Sequence, residues 1–149
     1  AIQKINYPTF WFWPNVDAGS DKISKSIRNH RENKDLENVY FLKNISPEDF
    51  IKLMVNAKCL IGNSSAGIRE CSYIGTPVVN IGNRQLGREK GLNVLDSEYD
   101  WSTILQSTEK QMSNDRYPQN NLYGDGSAGI KISKLLEEQS PSIYKKLSY

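Results

Sequence analysis

At Ile61-Gly62-Asn63-Ser64-Ser65-Ala66-Gly67-Ile68-Arg69-Glu70 a hydrophobic run gives way to small polar residues and then to a helical pattern. Those residue types suit a phosphate seat. Asn63, Ser64, Ser65 and Gly67 leave the backbone open to a ligand, and the first N–H groups of a helix point outward with the positive end of its dipole. Ser64 and Ser65 add hydroxyl donors. Glu70 falls about one and a half turns further on, where a carboxylate can accept two hydrogen bonds from a sugar diol. Phosphate plus diol suggests a nucleotide. The same residues also meet ordinary capping preferences, because serine and asparagine cap helices and an acid near a helix start is favourable without any ligand.

The next segment adds weight to the ligand reading. Gly75-Thr76-Pro77-Val78-Val79-Asn80-Ile81 reads as a buried strand, and it opens into Gly82-Asn83-Arg84-Gln85-Leu86-Gly87-Arg88-Glu89-Lys90-Gly91, a loop dense in glycine and cations. Two consecutive strand ends thus carry polar loops. In open parallel sheets ligands bind at the carboxyl ends of the strands, so these two loops are expected side by side.

These motifs need a scaffold, and the hydrophobic pattern supplies one. Strands are expected over residues 9–13, 39–42, 58–62, 77–81 and 92–95. Helices are expected over residues 20–32, with Ile23 and Ile27 as a thin apolar seam, and over 65–74. Ser46-Pro47-Glu48-Asp49 starts another, followed by Phe50, Leu53, Met54 and Ala57 at helical spacing. Trp101, Ile104, Leu105 and Met112 mark a fourth, and Ala128, Ile132, Leu135 and Leu136 a last one beginning near Ser127. Strands alternating with helices imply an α/β fold, a Rossmann-like parallel sheet with helices on both faces. Residues 114–126 are polar and turn-rich and are expected to be a surface connection, with residues 141–149 a short helix or frayed tail.

Composition limits the alternatives. The chain has 149 residues, enough for one domain with its own core. Lysines and arginines number 19 against 17 acids, and both signs are interspersed, which argues against a dedicated nucleic-acid surface or a polybasic membrane patch. Cys59 and Cys71 lack metal-ligand spacing, and the lone His30 falls in a polar helical stretch, so neither a metal nor a cofactor is expected. Two isolated thiols fit a reducing, cytoplasmic setting, with Cys59 a small core residue. No apolar run approaches the roughly 20 residues that cross a bilayer. The chain enters a strand within about ten residues of Ala1 and is expected to be a piece of something longer.

With its segments in place, the chain resembles the carboxyl-terminal lobe of the hydrolysing UDP-N-acetylglucosamine 2-epimerases, the branch that feeds sialic acid and related nonulosonate synthesis. Four blocks carry the resemblance: Trp13-Pro14-Asn15-Val16-Asp17-Ala18-Gly19-Ser20; Gly62 to Glu70 with Gly75-Thr76-Pro77-Val78-Val79-Asn80; Arg84-Gln85-Leu86-Gly87-Arg88-Glu89; and Tyr123-Gly124-Asp125-Gly126. The resemblance implies the second lobe of a GT-B fold, with residues 1–149 as the nucleotide-binding lobe and the catalytic amino-terminal lobe absent. It implies that Ser64 and Ser65 hold the diphosphate, Glu70 the ribose hydroxyls, and Arg84 the uracil or its neighbouring groups. Backbone near Ile45 would help to recognise the base. Asn15 and Asp17 match a block facing the sugar or diphosphate, although both residue types also form turns through local backbone bonds. Arg88 is a candidate substrate contact, or else a surface ion pair with Glu89.

The family hydrolyses UDP-N-acetylglucosamine to UDP and N-acetylmannosamine through a glycal, with proton-transferring carboxylates in the other lobe. The resemblance therefore implies a UDP-sugar substrate, no catalytic residue within this chain, no turnover by the chain alone, and a homodimer as in relatives. Two other functions suit the same pattern. A GT-B glycosyltransferase lobe would also bind a nucleotide sugar, and a non-catalytic nucleotide-binding module would need no chemistry at all. A flavodoxin-like signalling domain with Asp17 as phosphoacceptor fits poorly, because these strand ends carry serine, asparagine and arginine.

Overall fold

Aromatic and β-branched side chains favour extended, half-buried backbone, and here they build two small parallel sheets rather than one. The computed structural model describes residues 1–14, 20–32, 36 and 38–139. After a 3₁₀ turn at Ile2–Lys4, strand β1 (Thr9–Phe12) pairs in parallel with β2 (Val39–Leu42), in the register Thr9 to Val39. Helix α1 (Ser20–Glu32) connects them. Strands β3 (Leu60–Gly62), β4 (Val78–Ile81) and β5 (Val94–Ser97) form the second sheet, parallel and in chain order. Register places Gly62 beside Asn80, and Asn80 beside Asp96.

The α/β class and the Rossmann-like alternation are as expected for half of a GT-B fold, while the division into two sheets is not. β3 is only three residues long, two fewer than the expected 58–62. It is paired through β4, and among the described residues no ladder joins it to β1. The β1–β2 pair instead meets the rest through α2 (Pro47–Asn56), with the Phe12 ring set edge-on to Phe50 at 5.4 Å between centroids.

Local chemistry explains most element ends. Ser46 caps α2 by accepting from the Asp49 N–H at 3.1 Å, and Pro47 follows as the first helical residue. Asp100 caps α5 (Trp101–Ser113) by accepting from the N–H groups of Ser102 and Thr103 at 2.9 and 3.0 Å. β5 begins two residues later than expected. Val94 N–H closes a turn onto the Gly91 carbonyl, Leu92 is swung into solvent, and Asn93 is spent on side-chain bonds.

The helix expected over 65–74 is broken into α3 (Ser65–Ile68) and α4 (Glu70–Ile74). Arg69, between them, has ψ of −72°, well off the helical value near −42°. Gly67 explains the weakness. It contributes poor helix propensity, and it docks α3 so closely on the sheet that an added Cβ would meet Val78 Cγ1 at 2.9 Å and Leu60 Cδ2 at 3.3 Å.

Met54, Cys71 and Val78 form the centre of the core, with Phe50, Leu60, Ala66, Ile74 and Val94 packed against it. Ile27 is fully buried on α1, but Ile23 is half exposed, so the expected seam reduces to one side. α6 (Ala128–Glu138) begins where the sequence places it, after Ser127. None of its residues is buried among the described ones, and its apolar stripe of Ile132, Leu135 and Leu136 stands in solvent. No helix among the described residues is long and apolar enough to cross a membrane.

Candidate functional site at the strand ends

The two ligand-ready loops emerge from the carboxyl ends of β3 and β4, which are hydrogen-bonded neighbours. Ser64 is the N-cap of α3, its Oγ accepting from the Ala66 N–H at 3.3 Å. Its hydroxyl proton remains available to donate. Ser65 is half buried and opens the helix. With four residues, α3 carries little of the dipole expected for a ten-residue helix, so the hydroxyls and open N–H groups matter more here than the macrodipole.

Glu70 opens α4 and is solvent-exposed. The break at Arg69 means that it begins its own turn instead of sitting further along the helix of Ser65. Arg84 and Arg88 are both exposed on the loop after β4. Ile45 is half buried beyond the end of β2, immediately before the α2 cap, and so belongs to the other sheet. Asn15 and Asp17 lie outside the described residues.

Side-chain bonds strap the cationic loop to its surroundings. Gln85, almost fully buried, donates from Nε2 to the carbonyl of Asn63 at 2.8 Å, tying the loop to the serine turn. Lys90 donates to both carboxylate oxygens of Asp96 at 2.8 and 2.7 Å. Tyr123 donates from its hydroxyl to the Glu89 carbonyl at 2.7 Å, joining two of the sequence blocks that lie 34 residues apart. Asp125, in the second of those blocks, accepts from the N–H and hydroxyl of Ser127 at the entrance to α6. Those two bonds, with the charge of Lys131, hold its carboxyl down to about 2.

Asn80 brings a further polar group to the mouth. It is buried, and its Nδ2 donates to Asp96 Oδ1 at 2.7 Å. Burial raises the Asp96 carboxyl, but bonds from Lys90 and Asn80 and the Lys90 charge outweigh it, leaving the pKa below its ordinary value. Among the described residues, Asn80 Oδ1 and Gln85 Oε1 are buried side-chain acceptors without a partner. Gln85, Asn80, Lys90 and Tyr123 fall within the sequence blocks and the cationic loop but were given no role of their own by sequence alone. The available signal was an uncharged amide, Gln85, set inside a charged loop.

The cysteines stand apart from this chemistry. Burial pushes both the Cys59 and Cys71 thiols up to about 12, against a smaller opposing backbone bond at Cys59 and a mixture of charges at Cys71. Both stay protonated at neutral pH and are poor nucleophiles. Cys71 is a core residue, while Cys59 is half buried at the margin. Among the described residues no group of three or more histidines, cysteines and acids could hold a metal.

Neighbouring parallel strands deliver two polar loops to one end of the sheet, the end at which ligands bind in open α/β sheets. The chain matches the UDP-N-acetylglucosamine 2-epimerase family over residues 1–137 and belongs to it. It is 32% identical over 124 residues to a UDP-N,N'-diacetylbacillosamine 2-epimerase (hydrolyzing) of Legionella pneumophila, covering 83% of this chain and 32% of that protein. It is 26% identical over 125 residues to a UDP-N-acetylglucosamine 2-epimerase of Neisseria meningitidis, covering 84% and 32%. A GDP/UDP-N,N'-diacetylbacillosamine 2-epimerase (hydrolyzing) of Campylobacter jejuni is 37% identical over 84 residues, covering 56% and 22%. The chain spans about a third of the length of the first two relatives.

Proposed function

We propose that this chain is the UDP-binding lobe of a cytoplasmic, hydrolysing 2-epimerase that converts a UDP-linked N-acetylamino sugar, UDP-N-acetylglucosamine in the simplest case, to UDP and the C2-inverted free sugar. The observation that supports it most directly is the adjacency of the serine turn and the arginine loop, on strands paired Gly62 to Asn80, in a chain of this family. Ser64 and Ser65 would donate to the diphosphate, Glu70 would accept from the ribose hydroxyls, and Arg84 and Arg88 would bring positive charge to the nucleotide. Ile45 backbone, Asn15 and Asp17 complete the proposed substrate contacts. Their contribution is to stabilise departing UDP, an effect that accelerates reaction only as charge develops on the leaving group.

Removing and returning the C2 proton requires acid and base groups with tuned pKa values. We assign these to an amino-terminal lobe, with residues 1–149 as the second lobe, and expect no UDP release from the chain alone. Calorimetry on the two-lobed protein tests the binding role. The Ser65→Ala, Glu70→Ala double variant should weaken UDP by several kcal/mol, on the order of two charge-assisted hydrogen bonds. Unchanged affinity would remove both residues from the site. Product analysis separates this reading from a glycosyltransferase: free N-acetylmannosamine supports hydrolysis, whereas sugar transferred to an acceptor overturns it.

A further inference from the structure

Gln85 sits in a loop whose neighbours on either side, Arg84 and Leu86, are exposed, yet it is itself only 3% exposed. It is turned inward to reach one atom. Its Nε2 donates to the Asn63 carbonyl at 2.8 Å, and Asn63 immediately precedes Ser64. This contact fixes the orientation of the carboxamide, since reversal would set oxygen against oxygen. Oε1 is consequently left buried and without a partner among the described residues.

A buried acceptor without a partner destabilises a fold, and an apolar side chain of similar shape would avoid that cost. The bond to Asn63 and the orphaned oxygen act in opposite directions, so stability alone gives little reason for glutamine here. What glutamine has and methionine lacks is the grip on the serine turn. The far end of the same loop is already anchored, through Lys90 to Asp96 and through Glu89 to Tyr123. The near end, which carries Arg84, is tied through Gln85.

We propose that Gln85 is a positioning residue that sets the spacing between the arginine loop and the serine turn, so that one nucleoside diphosphate is gripped by both. This rests on the nucleotide-binding reading above. Gln85 acts through Asn63 and the loop backbone, without touching the ligand itself. Preorganisation of this kind raises affinity by removing an ordering cost that would otherwise be met at binding.

The test compares wild type, Gln85→Met and Gln85→Glu in the full-length protein, with uridine diphosphate as the probe. Gln85→Met deletes the donor and the orphaned oxygen together, so its melting temperature should stay within about 2 °C of wild type. Its affinity should fall about tenfold, and amides 63–67 should exchange faster in the absence of ligand. Gln85→Glu, which sets a carboxylate against the Asn63 carbonyl, should lose affinity at least as strongly. Wild-type affinity in both variants, or unchanged exchange at 63–67, would overturn the positioning role while leaving the nucleotide site intact. A large drop in melting temperature in the methionine variant would make Gln85 a structural residue and also overturn it. Failure of wild type itself to bind uridine diphosphate would instead overturn the nucleotide reading, and this proposal with it.

Discussion

The two ends of the three-stranded sheet treat buried polar groups in opposite ways. At the amino-terminal end, Gln111 donates from Nε2 to the carbonyls of Val78 and Asn93, both at 2.8 Å, and its Oε1 accepts from the Tyr117 hydroxyl at 2.9 Å. Asn93 donates to the Thr76 carbonyl, and Thr76 donates to that of Met54. Arg116 reaches the Thr76 hydroxyl and the carbonyls of Val55 and Ala57, where α2 ends. At the carboxyl-terminal end, Asn80 and Gln85 each bury an oxygen without a partner among the described residues. A satisfied network helps to specify a fold, whereas a buried acceptor left unpaired adds nothing to it and carries a desolvation cost.

If that contrast is sound, the amino-terminal end should be the sensitive one in stability measurements. Gln111→Ala should cost about 3 kcal/mol, because it leaves a buried gap and strips a donor pair from two strand carbonyls. Urea unfolding of the single variant measures this, and a cost under about 1 kcal/mol would erase the distinction between the two ends. Arg116→Met should cost less, about 1–2 kcal/mol. Arg116 is exposed as a residue, and water can replace part of what it gives the last carbonyls of α2. A loss as large as that of Gln111→Ala would show that water does not replace the bonds of Arg116.

Sequence patterning made one of these ends far more legible than the other. Ser46-Pro47 announced α2, the alternation of elements announced the α/β class, and the serine turn and arginine loop were visible as polar interruptions after apolar runs. Those signals are local. The bonds of Arg116 are not, since they reach residues 40 to 62 positions away, and the 114–126 segment read as a plain surface connection because nothing in its composition shows that Tyr117 and Asn120 hydrogen-bond to the backbone of Gly75 and Ser72. The broken helix escaped notice for a related reason. Gly67 within a helical pattern signals lower propensity, but its close approach to Val78 is a tertiary fact. α6 shows the converse limit, since a stripe of Ile132, Leu135 and Leu136 predicts an apolar face without saying what it meets.

At the carboxyl-terminal end the expected changes are smaller. Asn80→Leu removes the orphaned oxygen along with the donor to Asp96, two effects of opposite sign, and should alter stability by no more than about 1 kcal/mol. A cost approaching that of Gln111→Ala would show that Asn80 belongs to the structural network after all.

The smallest expected effect is the pH dependence of Asp96, and its sign is fixed by the bonds around it. Its carboxyl is depressed in the folded chain, so folding favours the ionised form. The stabilisation is complete above the ordinary carboxyl value near 3.8 and is lost as pH falls through the lower folded value. The side chain is 57% exposed, so solvent screening should hold the contribution to a few tenths of a kcal/mol despite the two bonds from Lys90. Comparing wild type with Asp96→Asn by urea unfolding at several pH values isolates it. The gap between them should be constant from pH 7 to about 5 and should narrow only once pH falls below the ordinary carboxyl value, closing as it passes the lower folded one. A gap that persists in acid would show that the carboxylate charge has no part in anchoring the far end of the arginine loop, leaving Tyr123 as its main tether there.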